Sequence, residues 1–491
     1  MYLDQILRQL DKGIEVHSQH PPQLDRMDVV DIENDSRLVQ PGSLFVALEG
    51  SQEDGKKYIK DAIQKGAIGI FASKEACLEL YSHYPTLVFL SHPHVKEIYY
   101  KLIFLFYPKK PGFLAAVTGT SGKTSVVDFT RQIWKALGYA SASIGTLGVI
   151  TGDTEEYHSL TTLGPLALAR TLQKLEVQGI SHVALEASSH GLHQGRLKNL
   201  KFQVVGFTNF SQDHLDYHTT MSDYLEAKLL LFKEYMMPQT TAVINADLPI
   251  FNAIKNAVGL CSLITYGKVS QDITLNYIQP LAVGQRISIT VFGKRSRLDF
   301  PLIGRFQVIN ALCALGIVLA ENPERTEEAI KALEHLEGVP GRLEFVGHTS
   351  QGAVVYTDYA HKPEALKFAL EALRPHTKNH LHVIFGCGGN RDKLKRPIMG
   401  KIAAECADHI TVTDDNPRHE NSAEIRKEVM VGCPHAKNIG DRKEAIKEAL
   451  ATAKSGDVIL IAGKGHETEQ IIGNEAIPFK DSEVVLELLR G

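Results

Sequence analysis

Cysteine is scarce in this 491-residue chain. Its six residues (Cys77, Cys261, Cys313, Cys387, Cys406, Cys433) lie far apart and form no C-x-x-C pair. That disfavours a disulfide framework or a zinc knuckle and fits a reducing cytoplasm. A basic excess is also missing: 53 Lys plus Arg stand against 57 Asp plus Glu, a formal charge of −4. A nucleic-acid binder relying on counterion release would carry the opposite balance. The longest apolar stretches, such as 102–107, fall far short of the ~20 residues a membrane helix needs. Asp4, Arg8 and Asp11 interrupt the apolar residues of the N-terminus, so no signal-peptide core is expected. Internal repeats and low-complexity segments are absent. What remains is 44% hydrophobic and 22% charged, enough apolar surface for several cores. At roughly 150 residues per domain the length predicts about three domains. The expectation is a cytoplasmic, multidomain protein that neither binds nucleic acid nor enters a membrane.

Two Pro/Gly clusters read as joints, because both residues break regular structure. One is Tyr107-Pro-Lys-Lys-Pro-Gly112; the other is Gly338-Val-Pro-Gly-Arg342, which follows a helical run over 327–337. They divide the chain into 1–110, 111–337 and 338–491. In the middle piece, short apolar runs at 113–117, 182–185 and 204–208 read as buried strands. Residues 124–137 read as a helix stopped by Gly138. In the last piece, strands are predicted at 381–385, 409–413 and 457–461. Strands alternating with helices imply parallel sheets, whose ligands bind at the carboxyl ends of the strands. The unusual residues do lie just after those strands.

Thr118-Gly-Thr-Ser-Gly-Lys-Thr124 stands between a predicted strand and a helix. Glycines there let backbone N–H groups face a phosphate, with Lys123 on the terminal phosphates and the Thr124 hydroxyl on Mg²⁺. The full G-x-x-x-x-G-K-[ST] pattern is not met, since its first position is Val117. Glu186 ends a strand and is either a metal-binding carboxylate or a solvated acid. The loop 208–218 is dense in oxygen and imidazole donors, with two His and two Asp within 213–218. Lys228 shares a helix face with Tyr224 and Phe232. It either snorkels along an apolar surface or sits in a dry site, where its neutral amine could take up CO₂.

In the last piece, Gly386-Cys-Gly-Gly-Asn-Arg-Asp392, Asp414-Asp-Asn-Pro-Arg418 and Gly463-Lys-Gly-His-Glu467 each follow a strand. Any one could be a plain turn. Three turns at one sheet edge, each holding a charge that turn geometry does not require, point to a shared ligand. An amino acid would suit Arg391 and Arg418 set against Asp415 and Glu467.

These marks resemble the Mur ligases, the ATP-dependent amide-bond-forming family of peptidoglycan synthesis, over nearly the whole chain. The resemblance rests on Gly119-Thr-Ser-Gly-Lys-Thr124, Glu186-Ala-Ser-Ser-His190 and Asp213-His-Leu-Asp-Tyr-His218 with Ala227-Lys228. Pro340-Gly-Arg342 and Asp358-Tyr-Ala-His361 with Pro363 complete it. Residues 386–392, Lys395-Arg-Pro397 and Asp415-Asn-Pro-Arg418 resemble the branch that adds meso-2,6-diaminopimelate; lysine-adding relatives lack that arginine. The implied fold is α/β in three domains, with a central P-loop ATPase domain of mostly parallel sheet and a C-terminal Rossmann-like domain. Residues 1–110 would bind the uridine end of a UDP-sugar, 111–337 ATP, and 338–491 the incoming amino acid. The implied reaction joins meso-diaminopimelate to the D-glutamate γ-carboxylate of UDP-N-acetylmuramoyl-L-alanyl-D-glutamate through an acyl phosphate. A cytoplasmic monomer with Mg²⁺, and ATP as co-substrate, is expected.

Residue by residue, the resemblance implies that Gly119, Thr120, Ser121, Gly122, Lys123 and Thr124 hold ATP with Asn310, Arg342 and Asp358. Thr124, Glu186, His214 and Lys228 would serve the metal, Lys228 as a CO₂-derived carbamate. Lys123, Lys228, His214 and Glu186 would form the catalytic set. Asn34, Ser36, Ser51, Gln52, Glu53, Thr161, Thr162, Ser188, Gln194 and Arg196 would line the sugar-peptide path. Arg391, Asp415, Asn416, Pro417, Arg418, Gly463 and Glu467 would grip diaminopimelate. Ser121, Leu163 and Gln307 replace the usual Asn, Pro and Asn, which bears on contacts at the adenine and sugar ends. Two ligases remain as alternatives: a lysine-adding relative, and one like folylpolyglutamate synthetase that would need neither Arg391 nor the 415–418 turn. A nucleotide-binding scaffold would not need Glu186, His214 and Lys228 together.

Overall fold

The structure is a computed structural model describing residues 1–20, 23–50, 54–152, 155–156, 160–281 and 284–490. Residues 1–113, 162–181 and 190–201 make one compact unit; 114–161, 182–189 and 202–491 make a second.

The first unit is built on a five-stranded sheet in the order Glu15–His17, Val88–Ser91, Gly69–Ala72, Ser43–Val46, Asp31–Glu33. All pairs are parallel except the antiparallel edge at Glu15–His17. The central strands are buried at every position, as expected when both faces are covered. Phe45, Ile70 and Phe89 face a core with Ile59 and Cys77. Leu44, Val46 and Phe71 face another with Leu102, Ile103, Leu166 and Ala169. Helix Pro165–Val177 thus packs on this sheet, although the linear division groups it with the middle piece. Its amphipathic pattern specifies a buried face, not which sheet receives that face.

The second unit holds two larger sheets. One has eleven strands, and its parallel core runs from Ile273–Pro280 through Ser262–Gly267, Thr241–Asn245 and Val204–Phe207 to Phe113–Thr118. His182–Glu186 and Ser141–Gly145 continue it as a parallel pair. Antiparallel hairpins extend both edges. The helix expected at 124–137 is Lys123–Ala136, and Gly138 in a left-handed conformation ends it, as predicted. Helix Arg305–Leu319 is buried almost all round and packs as a core helix against Lys123–Ala136. The run expected to be helical over 327–337 is α-helical only at Thr326–Ala332. It then tightens into a 3₁₀ turn, Leu333–His335, a common way for a helix to end.

The other sheet has the order Glu344–His348, Val354–Asp358, Val458–Ala462, Leu381–Phe385, His409–Val412, Lys437–Asn438, parallel except at its first strand. Tyr356, Val383, Phe385 and Leu460 point to one core; Val355, Ile384, Ile459 and Ile461 point to the other. Parallel order aligns the carboxyl ends of four strands, at Asp358, Ala462, Phe385 and Val412. The α/β class expected from the alternating pattern is therefore observed.

Candidate active site

The phosphate-loop candidate leaves strand Phe113–Thr118 and enters helix Lys123–Ala136. Gly119 (φ +144°) could not carry a side chain, because a Cβ would lie 1.9 Å from the Thr208 hydroxyl. Gly122 (φ +83°) would place a Cβ 2.5 Å from Asn310 Oδ1, so Asn310 stands beside the loop. The loop is stitched to residues 208–211. Asn209 Oδ1 accepts the Ser121 N–H at 2.9 Å, while Thr208 Oγ1 and Asn209 Nδ2 donate to the Ser121 carbonyl at 2.6 and 2.9 Å. Lys123 folds back so that Nζ donates to the carbonyls of Gly119 and Thr120, each at 3.0 Å. Burial lowers its pKa, partly opposed by the charges of Glu186 and Asp213. Thr124 is buried in the first helical turn.

Lys228 is presented by helix Met221–Glu234, whose start is fixed by a Thr220–Asp223 capping box. Its side chain does not snorkel. It is 1% exposed, and Nζ donates to the Gly119 carbonyl at 2.7 Å and lies 4.3 Å from the Tyr224 ring centroid. Burial, with Lys123 and Lys362 nearby, holds its pKa well below the ordinary lysine range, partly opposed by Asp213. The helix and the phosphate loop therefore share one amine–carbonyl contact, and the amine is biased toward its neutral form.

Glu186 is the last residue of strand His182–Glu186; Oε1 accepts the Thr146 N–H at 2.8 Å. Asp213 accepts from the Lys362 ammonium and the His214 N–H, and His214, in a left-handed conformation, sets its ring edge-on to Tyr224. Among the described residues, no three His, Cys, Asp or Glu side chains are arranged to hold a metal ion by themselves. The Thr124 hydroxyl and the Glu186 carboxylate are the hard oxygen donors that Mg²⁺ prefers, and that ion usually completes its shell with water and substrate phosphates. Those two residues fit it.

Asp358 is buried, and its two oxygens accept the N–H groups of Leu343 and Ala360, each at 2.7 Å. Burial pushes its carboxyl up to about 6, against the pull of Arg342. The Arg342 guanidinium lies 4.9 Å from the Tyr359 ring centroid. Gln307 donates to the Arg342 carbonyl at 2.9 Å and keeps a buried Oε1 without a hydrogen-bond partner among the described residues.

The three turns of the last sheet do meet. Asn416 Nδ2 donates to Glu467 Oε2 at 2.9 Å, and Arg418 Nη1 donates to the Gly389 carbonyl at 3.1 Å. A Cβ on Gly463 would lie 2.6 Å from Asp415 Oδ2, and one on Gly389 would lie 1.9 Å from the Pro417 carbonyl. Arg391 is exposed at this edge. Sequence reasoning missed several residues here. Lys464 was hidden inside a motif read as a turn, and Lys362 lies just after the Asp358–His361 motif. Fully buried Arg396 binds Glu420, whose carboxylate also accepts the Asn390 N–H.

In the first unit, Asn34 Oδ1 accepts from the Tyr99 hydroxyl at 2.9 Å, and the carbonyl of buried Ser36 accepts from Lys65. Also there, Arg196 donates to Gln194 Oε1 at 2.7 Å and to the Thr162 carbonyl at 2.7 Å, gathering three predicted residues. Thr161 and Ser188 belong to the second unit, where Thr161 Oγ1 lies 3.1 Å from Thr146 Oγ1. Ser51, Gln52 and Glu53 lie outside the described residues.

Residues 29–107, 117–318 and 341–465 match, in turn, the Mur ligase family catalytic domain, the Mur ligase middle domain and the Mur ligase glutamate ligase domain. The UDP-N-acetylmuramoyl-L-alanyl-D-glutamate--2,6-diaminopimelate ligase of Agrobacterium fabrum is 44% identical over 467 residues, 94% of each chain. The protein of that name from Zymomonas mobilis is 46% identical over 464 residues, covering 92% of this chain and 93% of its own. A solved structure of a ligase with the same name aligns with a TM-score of 0.70 at 29% identity, over 100% of this chain and 99% of that one. Mycobacterium tuberculosis folylpolyglutamate synthase complexed with ADP and AMPPCP has a TM-score of 0.61 at 17% identity, over 74% and 91%; it shares the fold.

Proposed function

This chain belongs to the Mur ligase family, and on that premise we propose that it joins meso-2,6-diaminopimelate to the D-glutamate γ-carboxylate of UDP-N-acetylmuramoyl-L-alanyl-D-glutamate with cleavage of ATP. The observation that carries the reading is the dry contact between Lys228 and the Gly119 carbonyl of the phosphate loop. A solvated lysine face would not need it.

A carboxylate is a poor acceptor for an amine, because oxide is a poor leaving group. The γ-carboxylate oxygen therefore attacks the γ-phosphorus of ATP; the bond to the bridging oxygen breaks, giving ADP and an acyl phosphate. The amine of diaminopimelate then attacks the acyl carbon. The tetrahedral species expels phosphate and loses a proton to solvent. Thr120 and Ser121 spend their N–H groups on Asn209. Gly122 and the first turn of helix Lys123–Ala136 therefore offer backbone N–H groups, and Lys123 its ammonium, to the phosphoryl oxygens, and most of the rate comes from positioning and charge. Thr124 and Glu186, with His214, would hold Mg²⁺, which would supply neutralisation of phosphate charge. Lys228 as a neutral amine forms an N–C bond to CO₂ and releases a proton. That leaves an anionic carbamate as a further oxygen donor. Asn310, Arg342 and Asp358 hold the nucleotide, and Arg391, Asp415 to Arg418, Gly463 and Glu467 the amino acid.

We assign 1–110, 111–337 and 338–491 as the uridine, ATP and amino-acid domains. No described helix is long and apolar enough to cross a membrane, and the six cysteines are free. Free thiols fit a reducing compartment, and we propose a cytoplasmic monomer. The test is incubation with ATP, the UDP-muramoyl dipeptide and either diaminopimelate or lysine. Stoichiometric phosphate and tripeptide with diaminopimelate support the reading; product with lysine alone, or with folyl glutamate, refutes it.

A further inference from the structure

Lys464 stands between two glycines of left-handed conformation, Gly463 and Gly465, and its side chain is wholly removed from solvent. A buried ammonium is tolerable only when its protons are matched by acceptors. Here three are present: Glu467 Oε2 at 3.1 Å, Asn416 Oδ1 at 3.3 Å and the Glu469 carbonyl. The Ile471 N–H also donates to Asn416 Oδ1, at 2.9 Å. With two donors on that oxygen the amide has one workable orientation, and its Nδ2 must turn to Glu467 Oε2, as observed at 2.9 Å. Glu467 Oε2 thus receives two bonds, while Oε1 has no hydrogen bond among the described residues. Neighbouring bonds tie the same turn: Gln470 Nε2 donates to the Asp415 carbonyl, and Arg418 N–H to the Ile471 carbonyl.

We infer that Lys464 is the positioning residue of the amino-acid pocket. Its ammonium locks the Asn416 amide and one oxygen of Glu467, so that the other oxygen is presented to the ammonium of the incoming amino acid. The inference rests on reading this sheet edge as the diaminopimelate site. Without Lys464, Asn416 Oδ1 keeps only the Ile471 N–H and Glu467 Oε2 keeps only the Asn416 amide, so Glu467 is free to swing and the pocket loses one charge-assisted hydrogen bond of defined direction.

Lys464→Met keeps the side chain as far as its ε position and removes the ammonium. It is expected to raise KM for diaminopimelate about ten- to hundredfold, the size of one charge-assisted bond, with kcat and the KM for ATP changed less than threefold. Lys464→Met combined with Glu467→Gln should cost no more than the worse single variant, because both act through one carboxylate. An unchanged KM for diaminopimelate, a parallel rise for ATP, or multiplicative losses in the double variant would each overturn the inference. If Lys464→Met does not fold, Lys464→Gln takes its place with the same outcomes. Arg418→Ala is the control. If it spares diaminopimelate, the reading of the edge fails; if it is selective while Lys464→Met behaves as wild type, only the role of Lys464 fails.

Discussion

Arg418→Ala offers a specific measure of amino-acid choice. The backbone at residue 418 (φ +51°) is tied on both sides: its N–H donates to the Ile471 carbonyl at 3.0 Å, and its carbonyl accepts the Gly473 N–H at 2.7 Å. The turn should therefore survive loss of the side chain. Nη1 is spent on the Gly389 carbonyl, whereas Nε and Nη2 make no hydrogen bond among the described residues. Those two groups can grip a carboxylate with parallel bonds. Because the Nη1 bond already orders the guanidinium, most of that interaction should appear as affinity, about 2–3 kcal/mol. That corresponds to a rise of about 30- to 150-fold in KM for diaminopimelate. Lysine ends in an ammonium with no second carboxylate, so its weak use should be untouched and the preference ratio should fall by the same factor. Phosphate release with each amino acid and with varied ATP measures all three constants. Equal losses for both amino acids, or a matching rise in the KM for ATP, would refute the reasoning.

Two further outcomes concern stability. Arg442 and Asp481 form a two-bond ion pair with no solvent exposure, and Arg442 also donates to the Ala462 carbonyl ahead of the Gly463 turn. Asp481→Ala should destabilise the last sheet by about 3–5 kcal/mol by stranding a buried charge; a urea midpoint shift worth under about 1 kcal/mol would contradict this. His361 and His466 flank Tyr359, and burial depresses each to about 4. Groups that stay neutral when folded stabilise above about pH 6.5 and lose that contribution as pH falls toward 4. At pH 5 the loss is about 2 kcal/mol for each. Asp358, raised to about 6, works in the opposite sense and returns about 1 kcal/mol. Hydrogen exchange of strands Val354–Asp358 and Leu381–Phe385 should report a net loss near 3 kcal/mol between pH 8 and 5. His361→Gln with His466→Gln should remove it, and an unchanged pH dependence would contradict the assignment.

Strand Leu381–Phe385 could be read directly because a parallel strand covered on both faces is a continuous apolar run. The phosphate loop was legible for a related reason: Gly119 and Gly122 sit where backbone shape and close packing leave no room for a side chain. Lys228 was not legible from its own helix. Whether a lysine on an apolar face snorkels or is sealed depends on what covers it, and here that is Gly119, 109 positions earlier in the chain. Helix Pro165–Val177 likewise shows its apolar stripe in sequence, but its choice of the first sheet is a tertiary outcome. Lys464 passed for a turn residue because burial of its ammonium requires Asn416, Glu467 and Glu469 together, partners on two separate loops.

Central to the proposed reaction is the conversion of Lys228 from a buried neutral amine to an anionic carbamate beside the phosphate loop. Carbon-13 NMR of the protein equilibrated with ¹³C-bicarbonate reads this directly. A carbamate resonance is expected in the wild-type protein and absent from Lys228→Ala, whose lost activity short carboxylates should partly restore. Identical spectra from the two proteins, with ligation undiminished in the variant, would contradict it.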